Sequence, residues 1–254
     1  MNSELSDQII EGDCLEVCSK MPDNSVDLIY VDPPFDVGTD YKTRDGRVAF
    51  VDKMSADSLA NYLYPRIFQF QRIMKPDGLF YLHGDHHSIH YLKVACDRIF
   101  GIRNFRNEII WHFNSAPRKE NDFGKRHNAI LRYSKTDSYK FIPEREPYSL
   151  SAPRGYEKEK YYHPDGKVID DVWHFPILGQ NDKSERVGYP TQKPERLIER
   201  IVRTSSYEGN VVLDPCCGSG TTCVVARKLN RRYIGIDNSP IAVEFARKRL
   251  GQML

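Results

Sequence analysis

The chain has 254 residues, 40% of them hydrophobic and 28% charged, with a formal net charge of +2. That composition suits one α/β domain with a well-buried core, and the lack of any apolar run of about 18 residues excludes a membrane-spanning helix. The short polar stretch Met1–Asp7 lacks the apolar region of a secretory signal, and so small a net charge leaves any nucleic-acid binding to local patches.

In chain order, Gln8–Ile10 reads as a short strand, Cys14–Lys20 as a helix and Val26–Val31 as a buried strand. Leu59, Tyr62, Leu63, Ile67, Phe70 and Met74 recur at helical spacing, with Ser55 as N-cap and Pro76-Asp77-Gly78 as a closing turn. Leu79–Leu82 is a strand and His86–Phe100 a helix; Glu108–Phe113 and Ala129–Tyr133 are two more strands. From about 143 to 190 the periodicity disappears into a stretch rich in Pro, Gly, Tyr and charge, read as a functional insertion. Order resumes with a helix at Pro194–Ser205, a strand at Val211–Asp214 and a helix at Thr221–Asn230. A strand at Tyr233–Asp237 and a helix at Pro240–Leu250 close the chain. Alternating β and α at both ends predicts a doubly wound, mostly parallel sheet of the Rossmann-like kind. Residues 1–113 and 186–254 would form the catalytic part and 114–185 a target-recognition insertion.

Cys14, Cys18, Cys96, Cys216, Cys217 and Cys223 form no Cys-x-x-Cys pair, so a structural zinc is not expected, and free thiols suit a reducing cytoplasm. His83, His87 and His90 could share a helix face with His86 beside them. Their ordinary reading is a solvated helix start rather than a metal site, with His83 and Asp85 at the lip of a cleft.

Two motifs carry chemistry. The first, Val31-Asp32-Pro33-Pro34-Phe35, follows a strongly apolar strand and so lies at a carboxyl strand end, where open α/β sheets bind ligands. Consecutive prolines force a rigid extended turn and leave the carbonyls of Asp32 and Pro33 free as acceptors. An acid, a carbonyl and an aromatic ring thus converge, as methylation of an aryl amine requires. Accepting both N–H hydrogens turns the nitrogen lone pair towards the methyl donor, and Phe35 can stack on the base. In the second, Asp214-Pro215-Cys216-Cys217-Gly218-Ser219-Gly220-Thr221-Thr222, a strand meets a helix through a glycine turn whose backbone can approach a ligand. Asp237 follows nineteen residues after Gly218, where an acid commonly holds ribose hydroxyls.

Together these motifs resemble those of the DNA amino-methyltransferases that use S-adenosylmethionine (AdoMet). With Asp32–Phe35 ahead of Asp214–Thr222, their order resembles the permuted β group, and the likeness covers most of the chain outside about 143–185. The resemblance implies AdoMet held by Asp13, Cys14, Thr191, Lys193, Asp214, Cys216, Gly218, Ser219, Gly220, Thr221 and Asp237. In it, Asp13 meets the adenine amine, and Thr191 and Lys193 meet the methionine portion. Asp32, Pro33, Pro34 and Phe35 would take the target base after it is flipped from the duplex. The loop Asp36–Tyr41 would close over that base, and Tyr41, Arg118, Lys119, Lys125 and Arg126 would contact DNA. Asp at position 32 favours adenine N6; cytosine-N4 enzymes more often begin this motif with Ser. Cytosine-N4 methylation, a catalytically silent AdoMet-binding DNA-recognition protein, and modification of RNA or protein glutamine are the alternatives. The expected setting is a prokaryotic or phage cytoplasm, with double-stranded DNA, a second copy of the chain and a restriction endonuclease as partners.

Overall fold

The run Val26–Val31 is apolar apart from Asp27 and forms a strand, β2, in which every residue is buried. Such a strand belongs in the middle of a sheet covered on both faces. It lies there in the computed structural model, which describes residues 6–35, 38–52, 55–114, 120–148, 163–179 and 184–251. The other strands are β1 (Gln8–Glu11), β3 (Thr39–Lys42), β4 (Val48–Asp52), β5 (Met74–Gly84), β6 (Phe105–His112) and β7 (His127–Ser134). Later in the chain come β8 (Arg145–Glu146), β9 (Lys167–Val168), β10 (Val172–His174), β11 (Val211–Asp214) and β12 (Arg232–Asp237). The helices are α1 (Cys14–Ser19), α2 (Ala56–Ile73), α3 (Ile89–Phe100), α4 (Glu195–Ser205), α5 (Thr221–Lys228) and α6 (Pro240–Gly251).

Eight strands make one sheet in the order β1-β12-β11-β2-β5-β7-β6-β10. The first five are mutually parallel, β7 runs antiparallel to β5 and β6, and β10 adds parallel to β6. The two-residue period of the strands divides the core. Ile29, Val31, Phe80 and Leu82 face α1, α2 and α3, while Leu28, Tyr30, Leu79, Tyr81 and Val212 face α4, α5 and α6. The result is a three-layer, doubly wound fold. Its strand order reverses between β11 and β2, so a crevice opens at their carboxyl ends.

Several boundaries differ from the sequence reading. Pro76-Asp77-Gly78 does not separate helix from strand: β5 begins at Met74, and these residues bulge out between the pairs Val26↔Met74 and Leu28↔Leu79. Helix α3 starts at Ile89 rather than His86, because Asp85 folds His86–Ser88 into a turn. Its Oδ1 accepts from the His87 amide (3.0 Å), the Ser88 amide (3.2 Å) and the Ser88 hydroxyl (3.1 Å). His83 therefore belongs to β5, fully buried, and shares no helix face with His87 and His90. The hairpin β3–β4 was not anticipated. Within 114–185, β7 and β10 are strands of the main sheet, so that stretch is not separate from the core throughout. Ser55 does cap α2, accepting from the Ser58 amide at 3.3 Å. Among the described residues no helix is long and apolar enough to cross a membrane.

Asp27 ties the amino end of β2 to its surroundings. Its carboxylate accepts from Lys75 (2.8 Å), Lys140 (2.7 Å) and the Val211 amide (2.9 Å). Burial alone would raise its pKa, but the two ammonium groups and the amide bring it below the ordinary value. A carboxyl with a lowered folded-state pKa stabilises the fold above its unfolded pKa, and that contribution is lost as pH falls through the folded value. Asp27→Ala, which leaves Lys75 without its carboxylate and Lys140 with Asp77 alone, is expected to cost about 1.5–3 kcal/mol by denaturant melting at neutral pH, with a smaller deficit in acid.

Candidate active site

A cavity of about 530 Å³ occupies the crevice at the carboxyl ends of β2, β11 and β12, within the size range of small-molecule sites. Asp32, Pro33, Pro34 and Phe35 line it from the end of β2. Asp214, Cys216, Gly218, Ser219 and Thr221 line it from the β11–α5 turn, and Asp237 from the end of β12. Asp13, Cys14, Tyr41, Thr191 and Lys193 complete the predicted set on its walls. Gly220 is the exception. It caps α5 in the left-handed region (φ +76°), and a Cβ there would lie 2.9 Å from the Ala246 Cβ, so it lets α5 approach α6 instead of meeting a ligand.

The glycine turn is held from the far wall. Gly218 sits at φ +51° and donates its amide to Asp237 Oδ2 (2.8 Å), while Asp237 Oδ1 accepts from the Ser239 amide (2.9 Å). Burial raises the Asp237 pKa. Asp214 is pushed up to about 7, by burial first and then by Asp32 and Asp237, against the Thr222 hydroxyl and the Cys216 amide. Asp13 caps α1 through Oδ1 (Leu15 amide, 2.7 Å) and pairs through Oδ2 with Arg66 (2.6 Å). The Arg66 guanidinium in turn lies 3.5 Å over the ring of Tyr62, a wall residue. The lining thus gathers the carboxylates of Asp13, Asp32, Asp214 and Asp237 around a single lysine, Lys193. Such a field favours a ligand that carries positive charge.

Lys193, expected against the methionine portion of a cofactor, lines the cavity, pairs with Asp32 Oδ2 and lies 5.2 Å over the Phe35 ring. The other oxygen of Asp32, Oδ1, is enclosed and has no hydrogen-bond partner among the described residues. Burial raises the Asp32 pKa and Lys193 draws it part of the way back. The segment that delivers Lys193 is held under constraint. Thr191 adopts φ +56°, rare for a β-branched residue, while Gln192 accepts from the Val187 amide (3.0 Å) and donates to the Glu185 carbonyl (2.8 Å).

Tyr30, Phe50, Tyr62 and Asn238 also line the cavity without belonging to a sequence motif, and so does Tyr189, which opens the segment that carries Thr191 and Lys193. The signal for Tyr62 was its polar-edged ring at an exposed position of an otherwise buried helical stripe. Tyr41 stacks on Phe50 at 4.8 Å, fastening the β3–β4 hairpin beside the site. Lys125 is exposed, Arg126 has a buried Nε without a partner among the described residues, and Arg118 and Lys119 lie outside those residues. Of the histidine group, His87 and His86 approach Asp85 Oδ2 at 2.7 and 3.9 Å, while His83 points inward under Asp32.

A doubly wound sheet with an acid-lined cavity at its switch point, a glycine turn on one wall and Asp-Pro-Pro-Phe on the other, defines an AdoMet-dependent methyltransferase. Residues 26–248 match the model of the N6/N4 DNA methylases, and the chain belongs to that family. It is 31% identical over 250 residues to the type II methyltransferase M.HpaI of Haemophilus parainfluenzae, covering 97% of this chain and 74% of that protein. It is also 31% identical over 252 residues to the DNA adenine methyltransferase YhdJ of Escherichia coli K12, covering 95% and 82%. Among solved structures, the cytosine-N4-specific PvuII DNA methyltransferase superposes with a TM-score of 0.70 at 18% identity, covering 95% of this chain and 85% of that one. The M1.HpyAVI–AdoMet complex gives 0.63 at 22% identity, covering 96% and 98%.

Two outcomes follow from this electrostatic arrangement. Lys193 stabilises the charged form of Asp32, so Lys193→Met should move the acid limb of the kcat/KM profile to higher pH; an unmoved limb would dissociate that limb from Asp32. Asp237→Ala should weaken AdoMet binding by about 1.5–3 kcal/mol in calorimetry, because a charged acceptor and the anchor of the glycine turn are lost together.

Proposed function

We propose that this chain transfers a methyl group from AdoMet to N6 of adenine in a specific sequence of double-stranded DNA. The observation that carries the reading is the enclosed, unpartnered Oδ1 of Asp32 beside the Phe35 ring. A buried acceptor without a donor costs on the order of 1–3 kcal/mol, and an N–H from a bound molecule removes that cost. Bound AdoMet supplies an electrophilic methyl on a positively charged sulfur, a charge that suits the four carboxylates.

The chain's own residues do the rest. The base must leave the duplex, at a cost of a few kcal/mol. Phe35 offers a face on which it stacks. Asp32 Oδ1 and the Pro33 carbonyl accept the two hydrogens of the amine, so the nitrogen lone pair turns out of the ring plane towards the methyl group. As the new C–N bond replaces the methyl group's bond to sulfur, whose electron pair stays on the sulfur, the nitrogen becomes cationic and gives up one proton, for which Asp32, already raised in pKa, is the acceptor. Asp237 and Asp13 are assigned to the cofactor's ribose and adenine, the Gly218–Thr221 turn and Thr191 to its methionine end.

Adenine is favoured over cytosine because Phe35 is apolar and a purine gives the larger stacking face; the relative YhdJ carries an adenine-methyltransferase name. The structural likeness to a cytosine-N4 enzyme makes N4-methylcytosine the second reading. Lys125 and Arg126 are assigned to DNA phosphates, together with Arg118, Lys119 and Tyr41. The free thiols support a reducing cytoplasm as its setting. Tyr64, Phe68, Tyr91 and Val94 expose apolar surface along α2 and α3, a face suited to a second copy of the chain. A companion endonuclease is the partner that the type II relatives imply.

The test is to incubate duplex DNA with labelled AdoMet, digest it to nucleosides and identify the labelled base, with Asp32→Ala in parallel. N6-methyladenine is expected, falling by a factor on the order of 10² or more in the variant. Label in cytosine alone would replace adenine with cytosine, and full activity of Asp32→Ala would remove Asp32 from the chemistry.

A further inference from the structure

His83 is a polar residue with no exposed surface in the middle of the sheet, and methyl transfer as described gives it no task. Its ring is nonetheless fixed on every side. The Asn128 amide nitrogen lies 3.1 Å from Nε2 and the Tyr30 hydroxyl 2.8 Å from Nδ1, while Trp111 meets the ring edge-on at 5.5 Å. With Asn128 donating to Nε2, the one proton of a neutral imidazole sits on Nδ1. That N–H donates to the Tyr30 oxygen and also faces Asp32 Oδ1 across 3.6 Å. The same ring lies 5.4 Å from that of Phe35. Burial, and then the charge of Lys193, hold the imidazole well below its ordinary pKa, so it stays neutral through the working range.

These contacts bring both base-binding groups onto one support. At 3.6 Å the His83 dipole helps keep Asp32 ionised without occupying the oxygen, so Oδ1 stays open for an incoming amine. A protonated imidazole would form a tight ion pair at the same place and close it. Beneath Phe35, the ring sets the height and tilt of the stacking platform relative to that oxygen. Displacements near 1 Å in such a constellation cost up to about 10²-fold in rate.

We infer that His83 is a positioning residue for capture of the flipped base: neutral, and oriented by Asn128 and Tyr30, it fixes Asp32 and Phe35 relative to each other. The inference rests on the methyl-transfer reading above. His83→Phe keeps the ring contacts and removes the dipole, whereas His83→Asn restores an N–H close to the position of Nδ1. In the full-length protein, His83→Phe is expected to lower kcat roughly tenfold to a hundredfold, with AdoMet affinity by calorimetry within about twofold of wild type.

The charged and titratable groups that face Asp32 are Lys193, Tyr30, His83 and Asp214. Changing only His83 should therefore raise the acid limb of kcat/KM in His83→Phe and return it towards wild type in His83→Asn. Unchanged kcat in His83→Phe would overturn the inference. So would equal losses of kcat, AdoMet affinity and melting temperature in both variants, which mark a packing role alone. If the wild-type protein itself transfers no label to DNA, the methyl-transfer reading falls as well; if it does and the variants match it, only the role of His83 falls.

Discussion

The site depends on keeping one carboxylate ionised where water reaches only part of it. Removing a carboxylate from water costs several kcal/mol unless partners replace the lost hydrogen bonds. Complete replacement would leave nothing for a substrate amine to enter. Asp32 meets both demands by dividing its oxygens: Oδ2 takes the Lys193 ammonium, and Oδ1 is left enclosed and open. Each neighbouring feature serves that division. The Pro33–Pro34 turn keeps the acid at the strand end, β5 places His83 beneath it, and a constrained segment 161 residues away brings in the lysine.

The topology makes the arrangement affordable in the geometric sense that no long loop is needed. β2 and β11 are far apart in the chain yet adjacent in the sheet, and they run parallel. Their carboxyl ends therefore open on the same edge, and because the strand order reverses between them, the following segments diverge to opposite faces. The segment after β2 supplies a rigid acceptor and the one after β11 supplies a glycine turn. β12, next along, ends in Asp237 and anchors the turn through the Gly218 amide. Asp27 fastens the opposite end of the same strand pair, since its carboxylate on β2 accepts from the first amide of β11.

Much of this was legible in the residues. Val26–Val31, Leu79–Leu82, Val211–Asp214 and Tyr233–Asp237 read as strands because central parallel strands are apolar along their length. The two motifs read as a site because each stood at a strand end. The β3–β4 hairpin and β10 were not legible: Tyr41 acquires its partner Phe50 only when the hairpin closes, and Val172–His174 is a three-residue edge strand held by β6. His86–Phe100 was read as helix from its start because nothing in the periodicity shows that Asp85 takes the local amides. The pairing of Lys193 with Asp32, far away in the chain, leaves no mark in the local sequence. Motifs announce the residues that touch ligands, whereas the residues that orient them, such as Arg66, Tyr30 and Asn128, are defined by packing alone.

The cavity's charge joins these observations. A protein that gained only stability from its polar groups would not gather Asp13, Asp32, Asp214 and Asp237 around one lysine, because like charges at short range raise one another's pKa and oppose folding. Two of the four are satisfied locally, Asp13 by Arg66 and the α1 amide, and Asp237 by two loop amides. Asp214 is driven to about 7, and Asp32 is left with an open oxygen. Asp214 keeps two donors, the Cys216 amide and the Thr222 hydroxyl, so among the described residues the open carboxylate oxygen of the four is Oδ1 of Asp32. A ligand with positive charge would offset the gathered carboxylates, and an N–H donor would satisfy that oxygen. The carboxyls that burial raises, Asp32 and Asp214, are therefore the ones whose charged forms a nearby cation or N–H donor would favour.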